Sequence, residues 1–569
     1  MTTARRGGDW LVTATDPAAV FTPERLSDEH RLIAQMAAEF VDQEVAPALP
    51  ALEAKDWDTA RRLIVRAGEL GLLGTDVPES AGGAGLDKAA SVVATEAVGA
   101  VPSFATTFGA QTGLAIVPIL CFGTPEQQAA WLPRIVSGEI IGAYCLSEAA
   151  SGSDALGARA RATREPDGSW RLTGEKLWVT NGGFADFFIV FAKVDGEHFT
   201  AFIVERGQPG VTSGKEEHKM GLHGSSTTPV VLADVRVPAA NLLGEVGRGH
   251  KIAFNVLNYG RFKLAAMCTG GARPAIAEAA AYASTRRQFG QPIASFGAVR
   301  SKLADMTTAL FAVESMLYRT TGLIDEAIAA TPGDPASVAR VLEEFALEAS
   351  ILKVASSEML DAVVDENVQI HGGNGFVRDY PAERRLRDAR VNRIFEGTNE
   401  INRLLIPGLL VKRARAGALS LGAARDPRSR PAVSTPDVLK ATAVELLNLA
   451  VARHGDGLAE EQEVVMRLAD LVIDAFGADS AALRAAAAAA SQTALASLHA
   501  DAAAIIADEA RQRARTHVDV LVAALATGAD AASLRERLDA PLAGDGLDII
   551  ATNRRIADVV VDRRRYPFP

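Results

Sequence analysis

The stretch Tyr144-Cys-Leu-Ser-Glu-Ala-Ala-Ser-Gly-Ser-Asp154 divides this chain. Before it the sequence has a helical texture; after it come short runs of β-branched and aromatic residues. The stretch brings hydroxyls, a flexible glycine and backbone N–H groups into one loop. Such a loop can hydrogen-bond the polar edge of a flat heteroaromatic ring, or it can be a plain domain-linking turn. Upstream, Ser27 is placed to cap a helix whose apolar residues Leu32, Ile33, Met36, Ala37, Phe40 and Val41 recur at three–four spacing, with Pro47 expected to stop it. A second helix is expected from Asp87 to Gly99, and small residues crowd 103–122. These features define an N-terminal helical domain over 1–140.

Downstream, Trp170–Thr173, Lys176–Thr180, Phe187–Val194, Phe199–Val204 and Val230–Val237 read as strands separated by turn residues, giving a central β domain over 141–248. Periodic stretches at 261–286, 297–330 and 335–370, joined near Thr331-Pro-Gly-Asp-Pro335, predict an antiparallel helix bundle over 249–415. A linker rich in Gly, Ala, Pro, Arg and Ser is expected at 416–437. It is followed by an extra helical domain over 438–569 that contains the run Ala485–Ala490. The fold class is therefore mainly α with a central β domain.

With 569 residues, the chain is long enough for three or four structural units. A net charge of −11 argues against nucleic acid as a partner, because a phosphate-backbone binder usually carries a basic surface. Cys121, Cys145 and Cys268 form no CxxC pair, so no metal site or disulfide framework is expected, and a reducing, cytoplasmic setting fits. The N-terminus lacks the apolar core of a secretory signal, and no transmembrane helix is expected. No GxGxxG opens a helix after a strand, and neither a P-loop nor HExxH occurs, which disfavours Rossmann dehydrogenases, P-loop NTPases and zincins. Five arginines interleaved with acids over Glu383–Arg393 read as a salt-bridged helix face.

Several motifs carry possible chemistry, each beside a plainer reading. In Leu177-Trp-Val-Thr-Asn-Gly-Gly183, Trp178 could cover a ring face, or it could be core. Asn258-Tyr-Gly-Arg261 is expected just before a helix and Arg286-Arg-Gln-Phe-Gly290 at the end of one. Arginines there can grip phosphate, or can simply be solvated. The glycines of Gln369-Ile-His-Gly-Gly-Asn-Gly-Phe376 allow close backbone approach to a ligand, and His371 reads as a packing residue. In Arg393-Ile-Phe-Glu-Gly-Thr-Asn-Glu400, Glu396 is a carboxylate in an apolar and basic context, either a base or a turn residue.

Taken in order, YCLSEAASGSD, LWVTNGG, RRQFG, QIHGGNGF and RIFEGTNE resemble the acyl-CoA dehydrogenase family over about residues 25–415. LNYGRFKLAA and the C-terminal extension look most like its very-long-chain branch. The resemblance implies FAD between the β domain and the bundle, lined by Tyr144, Leu146, Ser147, Gly152, Ser153, Trp178 and Thr180. It implies that Arg286, Gln288, Phe289, Gln369, Gly372 and Gly373 come from a neighbouring subunit, with Thr398 and Glu400 completing the grip. A homodimer or larger homo-oligomer follows from that.

The resemblance also implies Glu396 as catalytic base, because the alternative family position, just before Arg261, is Gly260. The Glu396 N–H and a ribityl hydroxyl would hold the thioester oxygen. Ser153, Asn258, Arg261 and Gly397 would contact the acyl-CoA substrate, and small residues at Thr106 and Ala110 would leave room for a long acyl chain, about C12 or longer by analogy. Electron-transfer flavoprotein is the expected acceptor. An acyl-CoA oxidase using O₂ and a non-catalytic assembly protein are the alternatives. A membrane surface is a possible partner for the C-terminal region but is not favoured.

Overall fold

The computed structural model describes residues 5–331, 336–422, 434–544 and 546–569. The N-terminal region is built from α1 (Asp28–Phe40), α2 (Ala46–Glu53), α3 (Trp57–Glu69), α4 (Lys88–Gly99), α5 (Pro102–Gly109), α6 (Ile116–Phe122) and α7 (Pro125–Val136). Ser27 caps α1 as expected: its hydroxyl accepts from the His30 N–H, and the His30 ring accepts from the Ser27 N–H. Pro47 does not stop the chain. It sits in the first turn of α2, where a missing N–H leaves no bond unmade, and a wide turn at Val41–Val45 carries α1 into α2.

The run Pro102–Phe122 is long and apolar enough to cross a membrane, but 78% of its apolar 18-residue window is buried inside the protein, which makes it a core element. It widens into a π turn at Ala110–Ala115, midway between α5 and α6.

The sheet contains β1 (Gly142–Cys145), β2 (Arg161–Arg164), β3 (Trp170–Thr180), β4 (Phe187–Val194), β5 (His198–Glu205), β6 (Val211–Ser213), β7 (Thr227–Val237) and β8 (Leu242–Leu243). Its order is β6-β7-β3-β2-β4-β5-β8, and β1 runs parallel to β4. The two runs expected at Trp170–Thr173 and Lys176–Thr180 are one strand. Gly174 and Glu175 continue the ladder against Leu232 and Val231, with register shifts on either side. β4 is apolar from Phe187 to Ala192 because both of its faces are buried there. Phe187, Ile189 and Phe191 pack with the N-terminal helices, whereas Phe188, Val190 and Ala192 pack within the β domain.

The bundle holds α8 (Gly249–Thr285), α9 (Gly297–Ala329), α10 (Ala336–Glu344), α11 (Ala346–His371), α12 (Ala382–Ala389) and α13 (Asn399–Arg415). Asn258–Arg261 lies inside α8, not ahead of it. Burial of Ile252, Val256, Tyr259 and Phe262 overrides the weak helix propensity of Asn258 and Gly260. Of the turn expected at Thr331–Pro335, residues 332–335 lie outside the described residues. Glu383–Arg393 is the expected paired surface: Arg387 bridges Glu383, Arg385 bridges Glu278, and Arg393 bridges Asp361.

The final helices are α14 (Thr435–His454), α15 (Gln462–Ala490), α16 (Ala496–Leu525), α17 (Gly528–Leu542) and α18 (Ile549–Arg563). Ser434 caps α14 inside the expected 416–437 linker, whose residues 423–433 lie outside the described residues. These helices share one continuous core with α1, α4 and the bundle: Trp10 packs on Phe476 and Phe311 on Phe568, each pair with ring centroids 4.6 Å apart.

Candidate active site

Three structural regions meet around Glu396. The turn that carries it joins the short helix Arg390–Arg393 to α13, and both Glu396 (φ 58°) and Gly397 (φ 81°) are left-handed. A non-glycine residue holds that conformation only if its surroundings enforce it. Arg261 on α8 donates from Nε to the Glu396 carbonyl at 3.0 Å, and Asn402 donates to the carbonyls of Gly397 (2.9 Å) and Thr398 (3.0 Å). Thr398 caps α13 by accepting from the Ile401 N–H.

The Glu396 carboxyl lies directly over Gly260. A Cβ at residue 260 would stand 2.7 Å from Oε2 and 2.9 Å from Cδ, so only glycine leaves the space open. Oε2 is shut off from solvent and has no hydrogen-bond partner among the described residues. Burial raises this carboxyl to about 7, against the opposing pull of the Arg261 and Lys353 charges. Burial likewise lowers Arg261 to about 10 and Lys353 to about 8.

Tyr144, on β1, faces the same point. Burial, and then the Glu396 charge, push its phenol far up, and its buried hydroxyl has no partner among the described residues. The loop after β1 is tied to β3 by the Leu177 N–H donating to the Ser147 carbonyl at 2.9 Å. Beneath it lies a buried pair: Lys176 donates to Glu148 at 2.6 Å and to the Leu146 carbonyl, while Glu148 accepts from the Arg159 and Ala160 N–H groups. Trp178 follows at a register shift with φ 59°, which turns the indole outward, 61% exposed. Thr180 ends the same strand, and nothing crowds Gly152 in the loop, where Ser153 is exposed.

A narrow cavity of about 30 Å³ opens behind Phe395. Gly99, Thr106, Leu222, Met267, Leu360 and Asn392 are among the residues that line it. Thr106 therefore lies on its wall, but Ala110, one turn further on, is buried in the π turn and does not. Of the expected substrate contacts, Arg261 donates to Asn258 Oδ1 at 3.2 Å and to the turn, and Asn258 touches the turn only through Arg261.

The remaining candidates form a second cluster at the far end of α8. Arg286 caps that helix, Gln288 and Phe289 follow it, and Phe289 is 92% exposed. Gln369 lies in the last turn of α11, whose end packs on α8 through His371 and Tyr282, and among the described residues a Cβ at Gly372 or Gly373 would meet nothing within 4 Å. His371 is the expected packing residue, stacked on Tyr282 with its Nδ1 on the Asn367 carbonyl. About 39 Å of helix separates Gly260 from Arg286, so one chain does not bring both clusters to one point. Glu400 is exposed in the first turn of α13. Sequence reading missed Lys353, Asn399 and Asn402. The signal available for Lys353 was a single lysine in the apolar stretch Ser350-Ile-Leu-Lys-Val354.

An uncovered indole, an unpartnered buried phenol and an open glycine loop fit a flat heteroaromatic group with polar edges. A sealed carboxylate close by is the equipment of an oxidoreductase that removes a proton and a hydride from adjacent atoms. Family models for acyl-CoA dehydrogenase match throughout: the N-terminal domain at 27–139, the middle domain at 143–235, the C-terminal domain at 247–408 and a further C-terminal domain at 439–534.

A probable acyl-CoA dehydrogenase of Bacillus subtilis (strain 168) is 44% identical over 84% of both chains. The mitochondrial very long-chain specific acyl-CoA dehydrogenase of Homo sapiens is 37% identical over 72% of this chain and 67% of its own length. The crystal structure of an acyl-CoA dehydrogenase complexed with FAD from Bacillus anthracis superposes with a TM-score of 0.96 at 41% identity, covering 99% of this chain and 100% of that one. The chain belongs to the acyl-CoA dehydrogenase family and is an FAD-dependent oxidoreductase.

Proposed function

We propose that this enzyme desaturates long-chain acyl-CoA thioesters between the α and β carbons, as in fatty acid β-oxidation, with Glu396 as the base. The observation that carries this reading is the Glu396 carboxyl over Gly260, its Oε2 closed to solvent and its pKa raised to about 7. A thioester α-proton is weakly acidic, and a carboxylate poised near neutrality is matched to taking it.

Glu396 accepts the α-proton, and its own backbone N–H, which makes no hydrogen bond among the described residues, donates to the thioester oxygen as enolate charge builds there. Bound FAD supplies the acceptor for the β-hydride. Tyr144, Leu146, Ser147, Gly152, Ser153, Trp178, Thr180, Thr398 and Glu400 bind it in one subunit. Arg261 and Asn258 fix the base's turn and stand where the CoA portion enters, with Ser153 and Gly397 as further contacts. The distance between the two residue clusters on α8 supports a homodimer in which Arg286, Gln288, Phe289, Gln369, Gly372 and Gly373 of a second copy complete the cofactor site.

The small Thr106 side chain on the cavity wall supports a long acyl chain. As it stands, the cavity holds only about two waters, so the chain must displace side chains that line it, of which Met267 is the most adaptable. Electron-transfer flavoprotein is the proposed acceptor, and three free cysteines, two of them buried, fit a cytoplasmic setting. The test is turnover of acyl-CoAs of graded length with electron-transfer flavoprotein or O₂ as acceptor. Enoyl-CoA formation that is best at C12 or longer and needs the flavoprotein is expected. A maximum at four to eight carbons contradicts the chain-length reading, and peroxide formation at the same rate without acceptor makes the enzyme an oxidase.

A further inference from the structure

The turn that holds Glu396 is joined to the extra C-terminal domain by an unbroken set of polar contacts. Asn399, the first residue of α13, is 1% exposed. Its Oδ1 accepts from Lys353 Nζ at 2.5 Å, and its Nδ2 donates to Glu358 on α11 at 2.9 Å. Arg403, one turn along α13, clamps the same Glu358 carboxylate with two donors, at 2.7 and 2.9 Å. The third donor of that guanidinium, Nε, reaches Asp470 on α15 at 2.7 Å. Asp470 lies within the extra domain, and the residues it is linked to end three positions from Glu396.

We propose that Asp470 is a positioning residue for the base: acting through Arg403, Glu358 and Asn399, it holds the left-handed Glu396–Gly397 turn in place, so that the extra domain contributes to proton abstraction. Three features favour this over simple domain packing. The turn is of a kind that persists only when its surroundings over-determine it. A planar guanidinium using Nε for one carboxylate and both Nη atoms for another is fixed in direction as well as distance. Lys353 and Asn399 are buried, so the last contacts before the turn are dry, while Glu358 and Asp470 keep part of their carboxylates in solvent. The proposal rests on Glu396 being the base.

The test compares the full-length holoenzyme with its Asp470→Asn, Asp470→Ala and Asp470→Glu variants. Anaerobic stopped-flow reduction by palmitoyl-CoA, FAD content and amide hydrogen exchange over 396–402 are measured for each. Asp470→Asn and Asp470→Ala are expected to lower the limiting reduction rate roughly tenfold, with half-saturation within about twofold of wild type. FAD content stays at the wild-type level, exchange over 396–402 accelerates, and Asp470→Glu restores most of the rate. Wild-type rate and exchange in Asp470→Asn would overturn the proposal. So would loss of FAD together with faster exchange throughout α14–α16, because Asp470 would then only hold the domain on. A wild type that no acyl-CoA reduces, with exchange over 396–402 still faster in the variants, would retire Glu396 as base and leave the brace standing.

Discussion

At the scale of the residue, the chemistry depends on one carboxyl kept dry. Burial lifts Glu396 to about 7 against the pull of Arg261 and Lys353. A base works as its anion, so kcat/KM is expected to rise with pH, with an apparent pKa of about 7 on the acid side and a plateau above it. A limb near 4.5, the ordinary glutamate value, would show that the group titrates in water. Gly260 is the other decisive position. Gly260→Ala would drive a methyl against the carboxyl, and a rate loss of at least about tenfold is expected, with FAD content unchanged. Unaltered reduction kinetics in that variant would mean that the carboxyl acts from some other place.

At the scale of the element, α5 offers a test of the acyl channel. Thr106 lines the cavity beside Met267 and Leu360. Thr106→Phe is expected to cut activity on palmitoyl-CoA by about tenfold or more while sparing butyryl-CoA, since the added ring blocks depth and not the reacting end. Equal losses on both substrates would point to general disruption of α5.

The elements also show how far the sequence could be read. Helices with a cap and a clean period, such as α1 behind Ser27 and α4 behind Asp87, were legible because the signal is local. The start of α8 was not: Asn258 and Gly260 disfavour a helix, and only the burial of their neighbours makes one. The β3 break was misread for a similar reason, since Gly174 and Glu175 are kept extended by β7. Glu396, Tyr144 and Trp178 were legible as types in motifs. Lys353, Asn399 and Asn402 were not, because what they do depends on a meeting of α11 and α13 that no local pattern records.

At the scale of the whole molecule, the last five helices are part of the main core. Arg484 on α15 is fully buried and bridges Glu24, ahead of α1, and Glu314 on α9, at 2.7 and 2.6 Å. Tyr566, near the C-terminus, donates to the same Glu314 at 2.8 Å. Arg484→Met removes the cation that Glu24 and Glu314 share, leaving Glu314 with Arg273 and Glu24 with His499, and is expected to destabilise the protein by about 3–5 kcal/mol in denaturant unfolding. A change under about 1 kcal/mol would mean that water or another cation replaces it, and that the domains are less tightly joined than the shared core implies.

The central claim is that Glu396 is the base of an acyl-CoA desaturation. It is tested most directly by anaerobic visible absorbance of the FAD-loaded protein during titration with palmitoyl-CoA, beside Glu396→Gln. The wild type is expected to bleach on mixing and the variant to remain yellow, with a rate lower by about 10²–10⁴. Bleaching of both at the same rate would remove Glu396 from the mechanism. A wild type that stays yellow with acyl-CoAs of every length would contradict the proposed desaturation itself.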